Sequence, residues 1–134
     1  MCIRSNKTIL VAEDHKDGRE FLQVLLESEG FRAVTAKDGL EAVRIAREEI
    51  PDLILTDLHM PNLDGIGAAM QIRGTPELNA VPILAISADG MRGIELFHKV
   101  GEMGTGFIYY LTKPLNMDEI IELVNRLLPA AVIA

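Results

Sequence analysis

The sequence has little cysteine, few aromatic residues, an excess of negative over positive charge, and no long apolar run. Its one cysteine, Cys2, excludes an internal disulfide and is typical of a reducing cytoplasm. No apolar run approaches the ~18 residues that a membrane-spanning helix needs, and the first residues lack the apolar core of a signal peptide. We therefore expect a cytoplasmic chain without a membrane partner.

The charge balance is acidic, with 13 lysines and arginines against 20 aspartates and glutamates, and a net charge of -7. A surface of this sign repels phosphate backbones, so we expect no direct contact with nucleic acid. The length of 134 residues suits one domain. We place that domain at residues 7–128, after an N-terminal extension (1–6) and before a C-terminal tail (129–134).

Short apolar runs alternate with stretches of helical periodicity along the chain. The apolar runs predict five strands, at Lys7–Ala12, Phe31–Thr35, Leu53–Leu55, Val81–Ile86 and Phe107–Thr112. The periodic stretches predict five helices, at Lys16–Glu29, between Asp38 and Pro51, at Gly65–Arg73, at about Met91–Met103, and after Asn116 or Asp118. This alternation predicts an α/β fold: a doubly wound, flavodoxin-like, five-stranded parallel sheet of order 2-1-3-4-5, flanked by five helices.

The helical patterns also predict which side chains face the sheet. In the first two helices the inward residues should be Phe21, Leu22, Leu25, Leu26, Leu40, Val43 and Ala46. Asp38 is placed to cap the second helix at its N-terminus.

Polar residues stand where four of the predicted strands end. Glu13 and Asp14 follow the first strand, Asp57 the third, Ser87 the fourth and Lys113 the fifth. Parallel strands bring their carboxyl ends to one edge of the sheet, so these side chains should converge there. Three crowded carboxylates repel one another, which favours a bound hard cation, Mg²⁺ with Mn²⁺ as the alternative.

Such a set of groups suits phosphoryl transfer, which depends on positioning and on neutralising charge. A carboxylate can itself be the nucleophile, and Asp57 is the central candidate. The plainer interpretation is that Asp57 only caps the turn that follows it.

The motifs Glu13-Asp14, Asp57-Leu-His-Met-Pro-Asn-Leu-Asp-Gly, Ser87-Ala88 and Lys113-Pro114 together resemble the receiver domain of two-component response regulators. The resemblance covers about Lys7–Leu128. It implies that Asp57 accepts a phosphoryl group from a sensor histidine kinase or a phosphotransfer protein. It also implies slow self-dephosphorylation, no turnover of an external substrate, and a downstream protein or output domain that receives the signal.

The resemblance implies ligands for the metal as well. Mg²⁺ would be held by Asp14, by Asp57, by the backbone carbonyl of His59 and, through water, by Glu13. The side chain of His15 is expected to be a solvated helix residue.

A switch follows from the same resemblance. Ser87 and Lys113 would contact the phosphoryl oxygens, with a cis bond before Pro114 turning the lysine inward. As Ser87 moves toward the phosphoryl group, Tyr110 would fill the vacated space. The signal would emerge on the face formed by the fourth and fifth predicted helices and the fifth strand.

Other positions would adjust this behaviour. His59 and Asp89 flank the acceptor where phosphoryl lifetime is tuned in the family. Between Ser87 and Lys113 the chain is a few residues longer than the usual pattern. The extra length is expected to form a flexible surface loop at Gly101–Gly106.

Three rival interpretations make different demands on the sequence. A haloacid-dehalogenase-like phosphatase needs a second aspartate at position 59, which is a histidine here. A flavodoxin-like flavin binder needs a first loop rich in Ser, Thr and Gly, but residues 13–17 are Glu-Asp-His-Lys-Asp. A degenerate receiver would bind partners without being phosphorylated, and the full set of chemical residues places it behind the phosphoacceptor.

Overall fold

The computed structural model describes residues 2–3, 7–88, 95, 98–99, 101, 104–129 and 131–132. Five of the strands in these residues form one parallel sheet: β1 (Thr8–Ala12), β2 (Arg32–Ala36), β3 (Leu53–Asp57), β4 (Ile83–Ser87) and β5 (Phe107–Thr112). Their order is β2-β1-β3-β4-β5, which confirms the predicted order 2-1-3-4-5. Strands β2 and β5 are the edges of the sheet, and every residue of β1, β3 and β4 is buried.

Four helices are described from end to end: α1 (Lys16–Ser28), α2 (Gly39–Glu49), α3 (Gly65–Arg73) and α4 (Met117–Leu127). A short 3-10 turn at Pro76–Leu78 follows α3. The predicted helix at about 91–103 lies mostly outside the described residues, among which Glu95, His98, Lys99 and Gly101 are helical. Asp89 also lies outside them.

Each face of the sheet carries its own apolar layer. On one face, α2 and α3 pack through small side chains, including Ala42, Ala46, Ala68 and Ala69. On the other face, α1 and α4 pack through larger ones, including Leu22, Leu26, Ile120 and Leu123. The fully buried central strands match the nearly unbroken apolar runs from which they were predicted.

Two residues predicted to face the core are exposed instead. Phe21 is 41% exposed and Leu40 is 56% exposed. Each helical residue turns about 100° from the last, and both side chains fall at the margin of the buried stripe of their helix. The prediction that Asp38 caps α2 is correct, because its Oδ1 accepts from the backbone N–H of Glu41 at 2.8 Å.

In the loop predicted at Gly101–Gly106 the described glycines are exposed, but the end of the loop is anchored. Thr105 is fully buried. The Arg73 guanidinium donates from Nε to the carbonyl of Thr105 and from Nη2 to that of Gly106, both at 3.0 Å. A side chain at Gly106, where φ is +73°, would collide with this guanidinium. Arg73 therefore anchors the backbone that leads into β5.

The predicted extension and tail meet in the structure. Cys2–Ile3 and Ala131–Val132 form a two-residue antiparallel pair. Within the part of the chain that is described, no helix is both long and apolar enough to cross a membrane.

Candidate functional site

The register of the central strands places two acids side by side. Ala12 of β1 pairs with Thr56 of β3. The next residues along these strands, Glu13 and Asp57, therefore lie together at the carboxyl edge of the sheet. Both are buried, with Glu13 5% and Asp57 4% exposed.

The neighbouring strands bring a hydroxyl and an ammonium group to the same edge. Asp57 pairs with Ile86 of β4, and Ser87 is the next residue of that strand. Ser87 in turn pairs with Thr112 of β5, the residue before Lys113. The backbone N–H of Lys113 donates to the Ser87 carbonyl at 2.9 Å, so the pairing continues into the site.

Lys113 joins the two acids. Its Nζ lies 2.6 Å from Asp57 Oδ2 and 2.8 Å from Glu13 Oε1. The bond between Lys113 and Pro114 is cis. The other Asp57 oxygen, Oδ1, accepts from the backbone N–H of His59 at 2.9 Å, which is the turn-capping contact of the plainer interpretation. Asp57 therefore has both oxygens engaged.

Burial and charge shift the titration of the two groups that flank Asp57. Burial raises the pKa of the Glu13 carboxyl, and its contact with Asp57 raises the pKa further, while Lys113 lowers it in part. Burial lowers the pKa of Lys113, but its hydrogen bonds to Asp57 and Glu13 outweigh this, and the net pKa is raised. The single ammonium group of Lys113 thus interacts with two buried carboxyls. It offsets only part of the unfavourable free energy of burying a charged Glu13.

Two carboxylate oxygens of Glu13 and Asp14 accept no hydrogen bond within the part of the chain that the structure describes. Glu13 Oε2 and Asp14 Oδ1 are buried and have no hydrogen-bond partner among the described residues. His15 Nδ1 lies 3.3 Å from Asp14 Oδ1 and 4.0 Å from Glu13 Oε2. The His15 side chain is 76% exposed, in line with its prediction as a solvated residue. Buried carboxylate oxygens without donors fit a hard divalent cation, so the residues present suit Mg²⁺.

The remaining predicted residues lie around this centre. Ser87 is completely buried beside it. His59 is exposed at the start of the loop after β3. Tyr110 is half-buried and packs against the apolar layer under α2 and α3.

One contact near the site was not predicted. The side chain of Asn62 donates from Nδ2 to Asp38 Oδ2 at 2.8 Å, which ties together the loops after β2 and β3. Asn62 belongs to the motif that begins at Asp57, and Asp38 is the predicted cap of α2. Nothing in a single sequence indicates that side chains 24 positions apart meet.

A groove of about 520 Å³ opens beside Lys113. Its wall runs from Glu13 along α1 to Phe21 and across to Pro114 and Leu115. The exposed Phe21, Val24 and Met117 extend this apolar surface between α1 and the start of α4.

Comparison with known proteins identifies the family to which this chain belongs. The family model for the response regulator receiver domain matches residues 9–125. The polar-differentiation response regulator DivK of Brucella anthropi is 30% identical over 122 residues, which cover 91% of this chain and 96% of that protein. The chain therefore belongs to the response regulator receiver domains, and its role is that of a phosphoacceptor in two-component signalling.

Solved structures agree with this assignment. The receiver domain of the sensor histidine kinase PA1611 from Pseudomonas aeruginosa PAO1 is 31% identical, with a TM-score of 0.81 over 92% of this chain and 98% of that one. That structure holds a magnesium ion coordinated in its active site cleft. The receiver domain of the Francisella response regulator 1452 is 34% identical, with a TM-score of 0.76 over 91% of this chain and 96% of that one.

Proposed function

We propose that Asp57 is the residue that accepts the phosphoryl group, and that a sensor histidine kinase or a phosphotransfer protein donates it. One observation carries this proposal. The Asp57 carboxylate is buried at the sheet edge and accepts hydrogen bonds from Lys113 Nζ and the His59 N–H. An oxygen of Asp57 would form the new bond to phosphorus as the bond from phosphorus to the donor histidine breaks.

The metal in this proposal is Mg²⁺, held by Asp14, Asp57, the His59 carbonyl and, through water, Glu13. Support comes from the two buried oxygens without donors, Glu13 Oε2 and Asp14 Oδ1, and from the magnesium in the related PA1611 domain. When bound, Mg²⁺ supplies positive charge against the negative charge that gathers during phosphoryl transfer. Mn²⁺ prefers similar oxygen ligands, so we expect it to substitute.

Lys113 and Ser87 are proposed to bind the phosphoryl oxygens. Lys113 already lies within hydrogen-bond distance of Asp57 Oδ2, and Ser87 lies at the end of the next strand. Movement of Ser87 toward the phosphoryl group, followed by Tyr110, would favour a second packing of the region. We expect β5 and α4 to present this change, together with the predicted helix 91–103, because Ile108 and Tyr109 of the edge strand are exposed.

The donor is proposed to dock on the groove beside α1. Phe21, Val24 and Met117 are 41%, 66% and 49% exposed, which makes an apolar surface next to the site. A donor protein on this surface could deliver its phosphohistidine to Asp57 past Lys113. The exposure of Phe21, wrongly predicted as core, is then useful for binding.

The remaining features of the proposal concern boundaries and lifetime. We place the receiver domain at 7–128 within a cytoplasmic protein, with the signal passing to a downstream protein or an output domain. His59 and Asp89 are proposed to tune how long the phosphoryl group remains.

Intact-mass spectrometry tests the proposal. Wild-type protein with Mg²⁺ and a small phosphodonor should gain one acid-labile phosphoryl group, and Asp57→Ala should gain none. Asp64→Asn is a matched control, because Asp64 caps α3 in the same loop and leaves Asp57 intact. Uptake that persists in Asp57→Ala would place the acceptor elsewhere. A wild type that takes up no phosphoryl group would favour the degenerate receiver.

A further inference from the structure

Asp38 makes two separate contacts with its two carboxylate oxygens. Oδ1 accepts from the backbone N–H of Glu41 and caps α2. Oδ2 accepts from the side chain of Asn62 in the loop after β3. Since the cap is complete with one oxygen, the second contact serves a different purpose, which is to join two loops. Asp38 is buried, with 8% of its surface exposed, so the contact is not a loose surface pair.

The backbones of the two loops also touch. A β carbon at Gly39 would collide with the backbone carbonyl of Leu63. Asn62 adopts a left-handed conformation, with φ at +68°, which asparagine tolerates better than most residues. The sequence thus provides a glycine where the loops approach and an asparagine where the chain must turn.

The loop held by Asn62 is the one that serves the acceptor. Its first residues donate from Leu58 N to the Ile86 carbonyl and from His59 N to Asp57 Oδ1, both at 2.9 Å. At its far end, Gly65 N donates to the Leu58 carbonyl at 3.1 Å. Between these ends, the Asn62 side chain ties the loop to Asp38.

The loop that contains Asp38 reaches the other half of the site as well. The carbonyl of Ala36, at the end of β2, accepts from the backbone N–H of Glu13 at 3.0 Å. The segment 36–39 therefore contacts the backbone of one acid of the site and the loop beside another.

We propose that Asp38 and Asn62 are positioning residues for phosphoryl transfer: their hydrogen bond holds the 58–64 loop so that the His59 backbone faces Asp57 and the cation. This inference rests on the proposed function, because it takes Asp57 as the acceptor and the His59 carbonyl as a metal ligand. Residues that orient metal ligands from behind often affect metal affinity strongly.

Asp38→Ser separates the cap from the loop contact. Serine caps helices about as well as aspartate does, but its one short hydroxyl leaves nothing in place of the second oxygen that accepts from Asn62. We expect the magnesium dissociation constant to rise about tenfold and the phosphorylation rate to fall, while Asp57 remains the acceptor. A magnesium titration followed through backbone amide NMR shifts of residues 13–14 and 58–64 measures affinity without relying on activity.

Asp64→Ser is the matched control. It makes the same substitution and the same charge change in the loop itself, where Asp64 Oδ1 caps α3 by accepting from Gly67 N. We expect its magnesium affinity and phosphorylation rate to stay near those of the wild type. Urea unfolding of each variant shows whether a loss of stability explains any difference.

The reciprocal double variant Asp38→Asn/Asn62→Asp tests the hydrogen bond itself. It exchanges donor and acceptor at unchanged net charge, so magnesium affinity should recover relative to Asp38→Ser. Asn62→Gly removes the donor, keeps the left-handed conformation accessible and leaves the α2 cap untouched. It should show the same loss, and it carries the test if Asp38→Ser does not fold.

Two results would overturn the inference: magnesium affinity in Asp38→Ser and Asn62→Gly equal to that of Asp64→Ser, or no recovery in the reciprocal variant. If these variants behave like a wild type that is phosphorylated on Asp57, only the positioning role fails. If the wild type itself takes up no phosphoryl group, the proposed function fails first.

Discussion

The carboxylate oxygens on the two sides of the acidic cleft differ in the hydrogen bonds that they accept. On one side, both oxygens of Asp57 accept hydrogen bonds, from Lys113 and from His59. On the other side, Glu13 Oε2 and Asp14 Oδ1 are buried without a donor among the described residues. The contrast teaches that the protein alone satisfies both oxygens of Asp57, whereas Glu13 and Asp14 each keep an oxygen that a cation would satisfy.

The unsatisfied side has a cost in stability. The pKa of Glu13 is raised by burial, so the folded protein binds the Glu13 proton more tightly than the unfolded chain does. A group with a raised pKa contributes stability at low pH and loses it as pH rises through its folded-state pKa. At neutral pH the cation-free protein therefore carries an unfavourable charge that a bound cation would relieve.

Magnesium should produce the largest change, because it satisfies the side that the protein leaves open. At a free concentration 100 times its dissociation constant, a ligand specific for the folded state stabilises it by about 2.7 kcal/mol. We expect a gain of this order in urea unfolding of the wild type, and almost none in Asp14→Asn. NaCl at equal ionic strength controls for screening. An equal gain in Asp14→Asn would place the cation elsewhere.

Lys113→Met should remove the lysine contact on the side of the cleft where both oxygens of Asp57 accept hydrogen bonds. The substitution keeps much of the side-chain length but removes hydrogen bonds to Asp57 and Glu13, and such charged hydrogen bonds contribute about 2 kcal/mol. We expect a loss of this order in unfolding free energy in EDTA, and a smaller loss with saturating Mg²⁺. Loss of the same size under both conditions would mean that the cation and Lys113 do not share the same acids.

The pH dependence of Glu13→Gln should give the smallest effect and sharpen the contrast. Because the Glu13 pKa is raised, the wild type should lose stability relative to Glu13→Gln as pH rises above the ordinary value of 4.5. Urea unfolding in EDTA at several pH values measures this difference, and Mg²⁺ should reduce it. A difference that grows in the opposite direction would show that Lys113 fully compensates the charge.

The polar edge of the sheet could be predicted because it follows from local patterns. Apolar runs end at Glu13, Asp57 and Ser87, and parallel pairing places those ends together whatever the loops do. The strand order was predicted from the doubly wound fold that alternating strands and helices indicate, and the Asp38 cap from its position just before a helical pattern.

Contacts between distant segments could not be predicted in this way. The Asp38–Asn62 hydrogen bond and the Arg73 contacts with Thr105 and Gly106 depend on how loops of particular length meet in space. Phe21 was assigned to the core because it is apolar and lies next to the buried stripe, although position on the helix decides burial more than polarity does.

The most direct test of the central claim is a crystal structure of the protein grown with Mg²⁺. We predict one cation about 2.1 Å from carboxylate oxygens of Asp14 and Asp57 and from the His59 carbonyl, between the two sides of the cleft. A cation held by Glu13, Asp14 and His15 away from Asp57 would contradict it.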